Sequence, residues 1–289
     1  MENYIFLDTF ALTQLTNDYC DELADYLLLK DYSIVLTSME LVELYNPNPE
    51  GDDRINKISN LLTSIPFVIC DQVKIMKAEE AAYPQTIDKL PLEYSSKEIF
   101  IRLPSTEKKE IIYKLFSIGL PEYGIDLKAW TKKHHFNKTT WPQSVKNIID
   151  NATSSGVINS KDKFLQSLDL RLCENILKSI ESINIKNWEQ LNQSDKKNLL
   201  KIDQIIDKHD SWRMKGIHFS SLVFWYEYVK AKKKIQPSDE ADIYYSLMFP
   251  YCNAVIIDKS RYDCATKIQN NETGYNKLKF YDINTFREE

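Results

Sequence analysis

Glycine is scarce in this chain, with six in 289 residues. No GxGxxG or P-loop pattern occurs, so dinucleotide and nucleoside-triphosphate sites of those types are not expected. The five cysteines, Cys20, Cys70, Cys173, Cys252 and Cys264, are odd in number and widely spaced, without a CxxC pair or a finger-spaced histidine. That argues against both a disulfide framework and a zinc site. Long apolar runs are missing too: the longest, Leu222 to Tyr226, covers five residues, where a membrane span needs roughly 20. Met1-Glu2-Asn3-Tyr4 shows no basic segment or small-residue cleavage site and reads as unprocessed and cytoplasmic. An excess of positive charge is also absent. Lys and Arg number 37 against 42 Asp and Glu, a net charge of −5, so nucleic acid would have to meet a local patch rather than a global field.

What is present is 43% hydrophobic and 12% aromatic residues, a composition for a packed core rather than a disordered or fibrous chain. At about 150 residues per domain the length allows one large or two small domains. Tyr4-Ile5-Phe6-Leu7 reads as a short strand, followed by Leu12, Leu15, Tyr19, Leu23, Tyr26 and Leu27 at helical spacing. Ser33 to Thr37 and then Met39 to Tyr45 repeat the pattern before Asn46-Pro47-Asn48-Pro49 breaks it. A helix over Arg54–Thr63 and a strand over Pro66–Cys70 follow. Such alternation predicts a parallel α/β sheet. From about Asp71 to Lys234 the periodicity is almost entirely helical, as in Glu107–Phe116, Lys161–Ser182 and Asp195–Asp207, with a loop over Asn151–Asn159. Strand signal returns at Ala254–Asp258 and at Leu278–Ile283. The expected organisation is an α/β core from residues 1–70 and 236–289, split by a mainly helical insertion over 71–235.

Acidic residues fall where such a sheet binds ligands, at the carboxyl ends of strands or near helix starts. Asp8 closes the first strand and Asp258 the one over Ala254–Ile257. Glu43 lies past the second, and Asp242 sits in the first turns of a helix after Pro237-Ser238. Clustered carboxylates raise each other's pKa unless a cation compensates, and hard oxygen donors select Mg²⁺ or Mn²⁺ over zinc.

At these residues the chain resembles the PIN-domain nucleases. The matching text is Ile5-Phe6-Leu7-Asp8-Thr9, Thr37-Ser38-Met39-Glu40-Leu41-Val42-Glu43-Leu44, Asp239-Glu240-Ala241-Asp242-Ile243 and Val255-Ile256-Ile257-Asp258-Lys259. The resemblance covers roughly residues 1–80 and 236–289, and its small members have no counterpart to the helical insertion. It implies a three-layer α/β/α fold and Mg²⁺- or Mn²⁺-dependent endonuclease activity, usually on RNA. Asp8, Glu43, Asp242 and Asp258 would be the catalytic acids and metal ligands, with Glu43 preferred to Glu40 on spacing and Asp239 an auxiliary ligand. Two other readings stand beside it. One is a non-catalytic PIN-like module that binds a partner protein; the other is a DNA-directed nuclease effector in host defence, held off until a trigger or partner arrives. Whether the chain forms a homo-oligomer is open.

Each acid also has a plain structural reading. Asp8 and Asp258 suit helix N-caps; Asp239, Glu240 and Asp242 complement a helix dipole; Glu43 suits a solvated helix face. For nucleic acid, the stretch between Asp126 and Asp150 holds no acid but carries Lys128, Lys132, Lys133, Lys138 and Lys146, interleaved with Trp130, His134, His135, Phe136 and Trp141. Cations neutralise phosphates and aromatic rings stack on unpaired bases; the alternative is a solvated basic segment with its tryptophans in a core. Lys232 and Lys233, in the run ahead of Asp239, are further phosphate candidates, or simply a charged helix end. His209-Asp210 and His218 lack a nucleophile elbow and read as structural.

Overall fold

A computed structural model describes residues 2–83, 85–168 and 213–288. The chain is an α/β protein built on a six-stranded, mostly parallel sheet. The strands are β1 Asn3–Leu7, β2 Tyr32–Thr37, β3 Phe67–Cys70, β4 Tyr94–Ser95, β7 Ala254–Ile256 and β8 Phe280–Tyr281, while β5 Gly119–Leu120 and β6 Ile125–Asp126 form a separate antiparallel pair. The sheet order is β4-β3-β2-β1-β7-β8, and every pairing is parallel except β3 with β4. Register aligns Ile5 with Ile34 on one side and with Ala254 on the other. Residues Ile5 to Leu7, Ser33 to Thr37 and all of β3 and β7 are buried, as expected for parallel strands covered on both faces.

Helices between strands follow from apolar spacing and capping. The first, α1 (Thr9–Leu29), starts at Asp8, which accepts from the Ala11 N–H at 2.6 Å and has extended backbone. Ala11, Leu12, Leu15, Leu23 and Leu27 turn inward, and the helix kinks at Tyr19, whose φ of −146° is not helical. The short α2 (Ser38–Glu43) begins in a capping box: Thr37 accepts from the Glu40 N–H while the Glu40 carboxyl accepts from the Thr37 N–H. Next, α3 (Asp53–Ser64) buries Ile55, Ile58, Leu61 and Leu62. These residues share one core with the sheet and with Ile112, Leu115 and Phe116 of the helix Ser105–Ser117.

The chain divides into two compact units. One comprises residues 1–71, 92–139 and 251–289; the other comprises 72–91 and 140–250. This differs from the expected split at both ends. Residues 92–139 belong with the sheet because β4 pairs with β3 and the helix Ser105–Ser117 fills the core beside α3. Residues 236–250 belong with the helical unit: the Ser220 hydroxyl donates to the Ile243 carbonyl at 2.9 Å, and the Phe219 and Phe249 rings meet edge to face. In that unit both oxygens of buried Glu79 accept backbone N–H bonds from Gly216 and Ile217 at the start of the helix Lys215–Phe224. Gly216 is required there, since a Cβ would stand 2.3 Å from the Leu247 carbonyl oxygen. The expected loop at Asn151–Asn159 is instead the end of a helix running Leu127–Ser154, then a left-handed Gly156 and one 3-10 turn. Residues 161–168 are helical; the rest of the helix expected to Ser182, the one over Asp195–Asp207, and His209-Asp210 lie outside the described residues.

Candidate functional site

The strand order places the sheet's switch point between β1 and β7. From β1 the chain steps through β2, β3 and β4 on one side, and β7 and β8 lie on the other. The crevice outside the carboxyl ends of strands at such a point is where open α/β sheets bind ligands. Asp8 follows β1 and Asp258 comes two residues after β7, so these acids flank the crevice, and they are joined directly. The Asp258 N–H donates to Asp8 Oδ2 at 2.8 Å, while the Asp8 N–H donates to the Ile256 carbonyl. Asp8 is buried, at 8% exposure. Asp258, half-buried, caps the helix Lys259–Asn271 by accepting from the Ser260 and Arg261 N–H groups. Both cap readings are therefore correct. They do not exhaust the carboxylates, because each carboxylate oxygen has two lone pairs.

Glu43, exposed at the end of α2, accepts from the Thr9 hydroxyl at 2.5 Å, one residue after Asp8. Glu40 is different. It is fully buried, Oε2 takes the Thr37 N–H, and Oε1 has no hydrogen-bond partner among the described residues. Burial pushes its pKa well above the ordinary carboxyl value; the Thr37 backbone bond opposes this, and the negative charges of Glu43 and Asp8 add to it. Burial thus disfavours the ionised form of Glu40 beneath the edge.

Two edge acids were not anticipated. Asp71 follows β3 and accepts from the Ser38 hydroxyl at 2.9 Å, and Asp282 follows β8 and caps the short helix Ile283–Phe286. Four of the five parallel strands are therefore followed by an aspartate at the same edge. The rule that selected Asp8 and Asp258, an acid closing an apolar run before a helix, is met by Cys70-Asp71-Gln72 and by Tyr281-Asp282-Ile283 as well.

Asp239 and Asp242 belong to the helical unit, in the first turn of the helix Asp239–Tyr245. Asp239 is buried and already holds a cation: Lys233 Nζ lies 3.2 Å from its Oδ1 and 3.4 Å from Glu227 Oε2, and its Oδ2 accepts the Gln236 N–H. Glu227 comes from a π-helical turn, Trp225–Lys230, that continues the helix Lys215–Phe224. Asp242 is half-buried on the same short helix.

Among the nucleic-acid candidates, Lys132 and Lys133 are exposed on the helix Leu127–Ser154. Trp130 packs partly against the sheet unit's core, and Trp141 is half-buried with a buried Nε1 that has no partner among the described residues. The side chain of Lys138 lies outside the described residues. Lys232 is exposed in a left-handed conformation, φ 52°, and Lys233 is the ion-paired residue just described.

A divalent ion needs several hard donors at once. The edge offers carboxylates of the right chemistry, Asp8, Glu43 and Asp258. Among the described residues, however, no three His, Cys, Asp or Glu side chains are gathered closely enough to hold an ion. Asp8, Glu43 and Asp258 each accept from neutral N–H or O–H donors. No helix among the described residues is long and apolar enough to cross a membrane. Comparison with known proteins returns no match among family models, curated proteins or solved structures.

Proposed function

We propose that the chain is a metal-dependent endonuclease with a three-layer PIN-like core, acting on RNA in the cytoplasm. The observation that carries this reading is the junction of Asp8 and Asp258 across the β1/β7 switch point, with Glu43 tied to the same corner through Thr9. In this reading Asp8, Glu43 and Asp258 hold Mg²⁺ or Mn²⁺. The ion would activate water and stabilise the attacking and leaving oxygens at phosphorus. The chain's own part is to fix the acids: N–H groups of Ala11, Asp258 and Ser260 and the Thr9 hydroxyl orient carboxylate oxygens without neutralising them. Asp239 is not needed as a ligand, since Lys233 occupies it. Lys132 and Lys133 are the exposed cations best suited to phosphates. A DNA-directed effector in host defence uses the same chemistry, and the nucleic acid cleaved separates it from the RNA reading.

One finding favours a second reading, a PIN-like module that binds a partner protein without catalysis: among the described residues no three His, Cys, Asp or Glu side chains are gathered to hold an ion. The deciding experiment is cleavage of labelled single-stranded RNA and DNA with Mn²⁺, Mg²⁺ or EDTA, using wild type, Asp8→Asn and Asp258→Asn, together with calorimetric titration of Mn²⁺. Metal-dependent cutting that falls at least about 100-fold in both variants supports the nuclease. Absence of both cutting and Mn²⁺ binding sinks it in favour of the module.

A further inference from the structure

Beside the Asp8–Asp258 junction the sheet unit has a second concave feature, a pocket of about 230 Å³ at the carboxyl ends of β1, β7 and β8. Its wall is assembled from three chain segments, each leaving one of those strands. Phe10 and Gln14 come from α1, Asp258 and Lys259 from the start of the helix Lys259–Asn271, and Asn284 and Arg287 from the short last helix and the residue after it. Phe10 and Gln14 are one helical turn apart and so share a face of α1.

The contents of this pocket discriminate among ligands. Phe10 is 57% exposed, a large aromatic ring left in water beside a cleft, and Ile257 and Ile283 add apolar lining. Gln14 and Asn284 bring amides, each with a donor and an acceptor group. The cations are already matched: Lys259 pairs with Asp263 at 2.7 Å and with Asp282 at 3.6 Å, and Arg287 pairs with Asp18 at 3.1 Å. With Asp258 and Asp282 also on the wall, the pocket has no surplus positive charge for a phosphate. Its volume lies below the roughly 300 Å³ at which drug-sized sites begin. An aromatic face, apolar lining, paired amides and no net positive charge suit a flat, neutral heteroaromatic ring.

We propose that this pocket takes the base of one unpaired nucleotide, with Phe10 as the stacking platform and Gln14 and Asn284 reading its polar edge. The inference rests on the nuclease reading for its meaning: Asp258 belongs to both features, so a base held here sets its phosphate beside the edge acids. It makes the substrate a single strand, because a base stacked on Phe10 has left its pair. It also gives the edge a means of choosing which phosphodiester it faces.

The test uses the full chain in EDTA, where cleavage plays no part. AMP, GMP, CMP and UMP are titrated in turn, with ribose 5-phosphate as the control that has the sugar and phosphate but no base. At least one mononucleotide is expected to bind about tenfold or more tightly than ribose 5-phosphate, an advantage that falls about tenfold in Phe10→Ala and returns in Phe10→Trp. Asn284→Ala is expected to change the ranking of the four bases while leaving ribose 5-phosphate as it was. Equal binding of ribose 5-phosphate, no binding of any mononucleotide, or a base preference untouched by Phe10→Ala overturns the proposal. Base binding without metal-dependent cutting of RNA or DNA would leave the pocket standing and remove the nuclease; cutting without base preference would do the reverse.

Discussion

The Asp8–Asp258 corner of the sheet unit and the Glu227–Asp239 pair of the helical unit satisfy their carboxylates differently. At the sheet edge Asp8 and Asp258 accept bonds from neutral backbone N–H groups, and Glu43 from a neutral hydroxyl. In the helical unit Glu227 and Asp239, with side chains 6% and 4% exposed, share the ammonium of Lys233. Neutral donors orient a carboxylate without supplying a counter-charge of their own. A built-in ammonium supplies the cation and closes the site to another. The same residue types thus carry bonds from neutral donors in one place and share an ammonium in the other.

The contrast can be broken most forcefully at Lys233. Lys233→Met leaves two buried carboxylates without their cation and is expected to cost about 3 kcal/mol in urea unfolding, since removing one partner strands the others. Adding Glu227→Gln and Asp239→Asn to it should recover most of the loss. Little or no recovery would mean that the lysine's packing, not its charge, holds the segment. At the sheet edge the effects are smaller. Asp8→Ala removes acceptors for both Ala11 and Asp258 and should cost about 2 kcal/mol. Asp258→Ala, which loses only a helix cap, should cost about 1 kcal/mol by the same measurement.

Glu40 tests the boundary between the two schemes, because it is buried and, among the described residues, its Oε1 has no hydrogen-bond partner. Its folded pKa is raised, so above the ordinary value of 4.5 the unfolded chain releases a proton that the folded chain keeps. Folding stability contributed by this group is then whole below that value and falls as pH rises toward the folded pKa. Glu40→Gln copies the neutral acid at every pH. Measured from about pH 4 to about pH 8, the variant should match wild type at the acid end and gain on it progressively upward. A constant difference across the range would contradict a neutral Glu40.

Much of the sheet is legible in the sequence because it is local. Ile5-Phe6-Leu7, Ile34-Val35-Leu36 and Ala254-Val255-Ile256 are short apolar runs ended by polar residues, and burial on both faces of a parallel sheet demands that pattern. The caps at Asp8 and Asp258 are equally local. The two-residue strands β4, β5 and β6 could not be seen, since two residues show no period and their pairing depends on distant partners. Membership of residues 92–139 in the sheet unit was hidden for the same reason. The Lys233 pairing escaped because it depends on a π-helical turn and a left-handed Lys232 that bend the chain back on itself. Reading the lysine run as a helix end missed that geometry. Asp71 and Asp282 obey the same strand-closing rule, but the resemblance has no counterpart to them among its own four positions.

The bond between the Asp258 N–H and Asp8 joins positions 250 residues apart. At a ribosome's pace of about 5–20 residues per second, roughly ten to fifty seconds separate the emergence of the two partners. For that whole interval β1 lacks its β7 neighbour, and the edge between them does not exist. Contacts this distant in sequence also make assembly slow once the chain is complete. The edge between β1 and β7 is thus a late product of synthesis, set by the chain's connectivity alone.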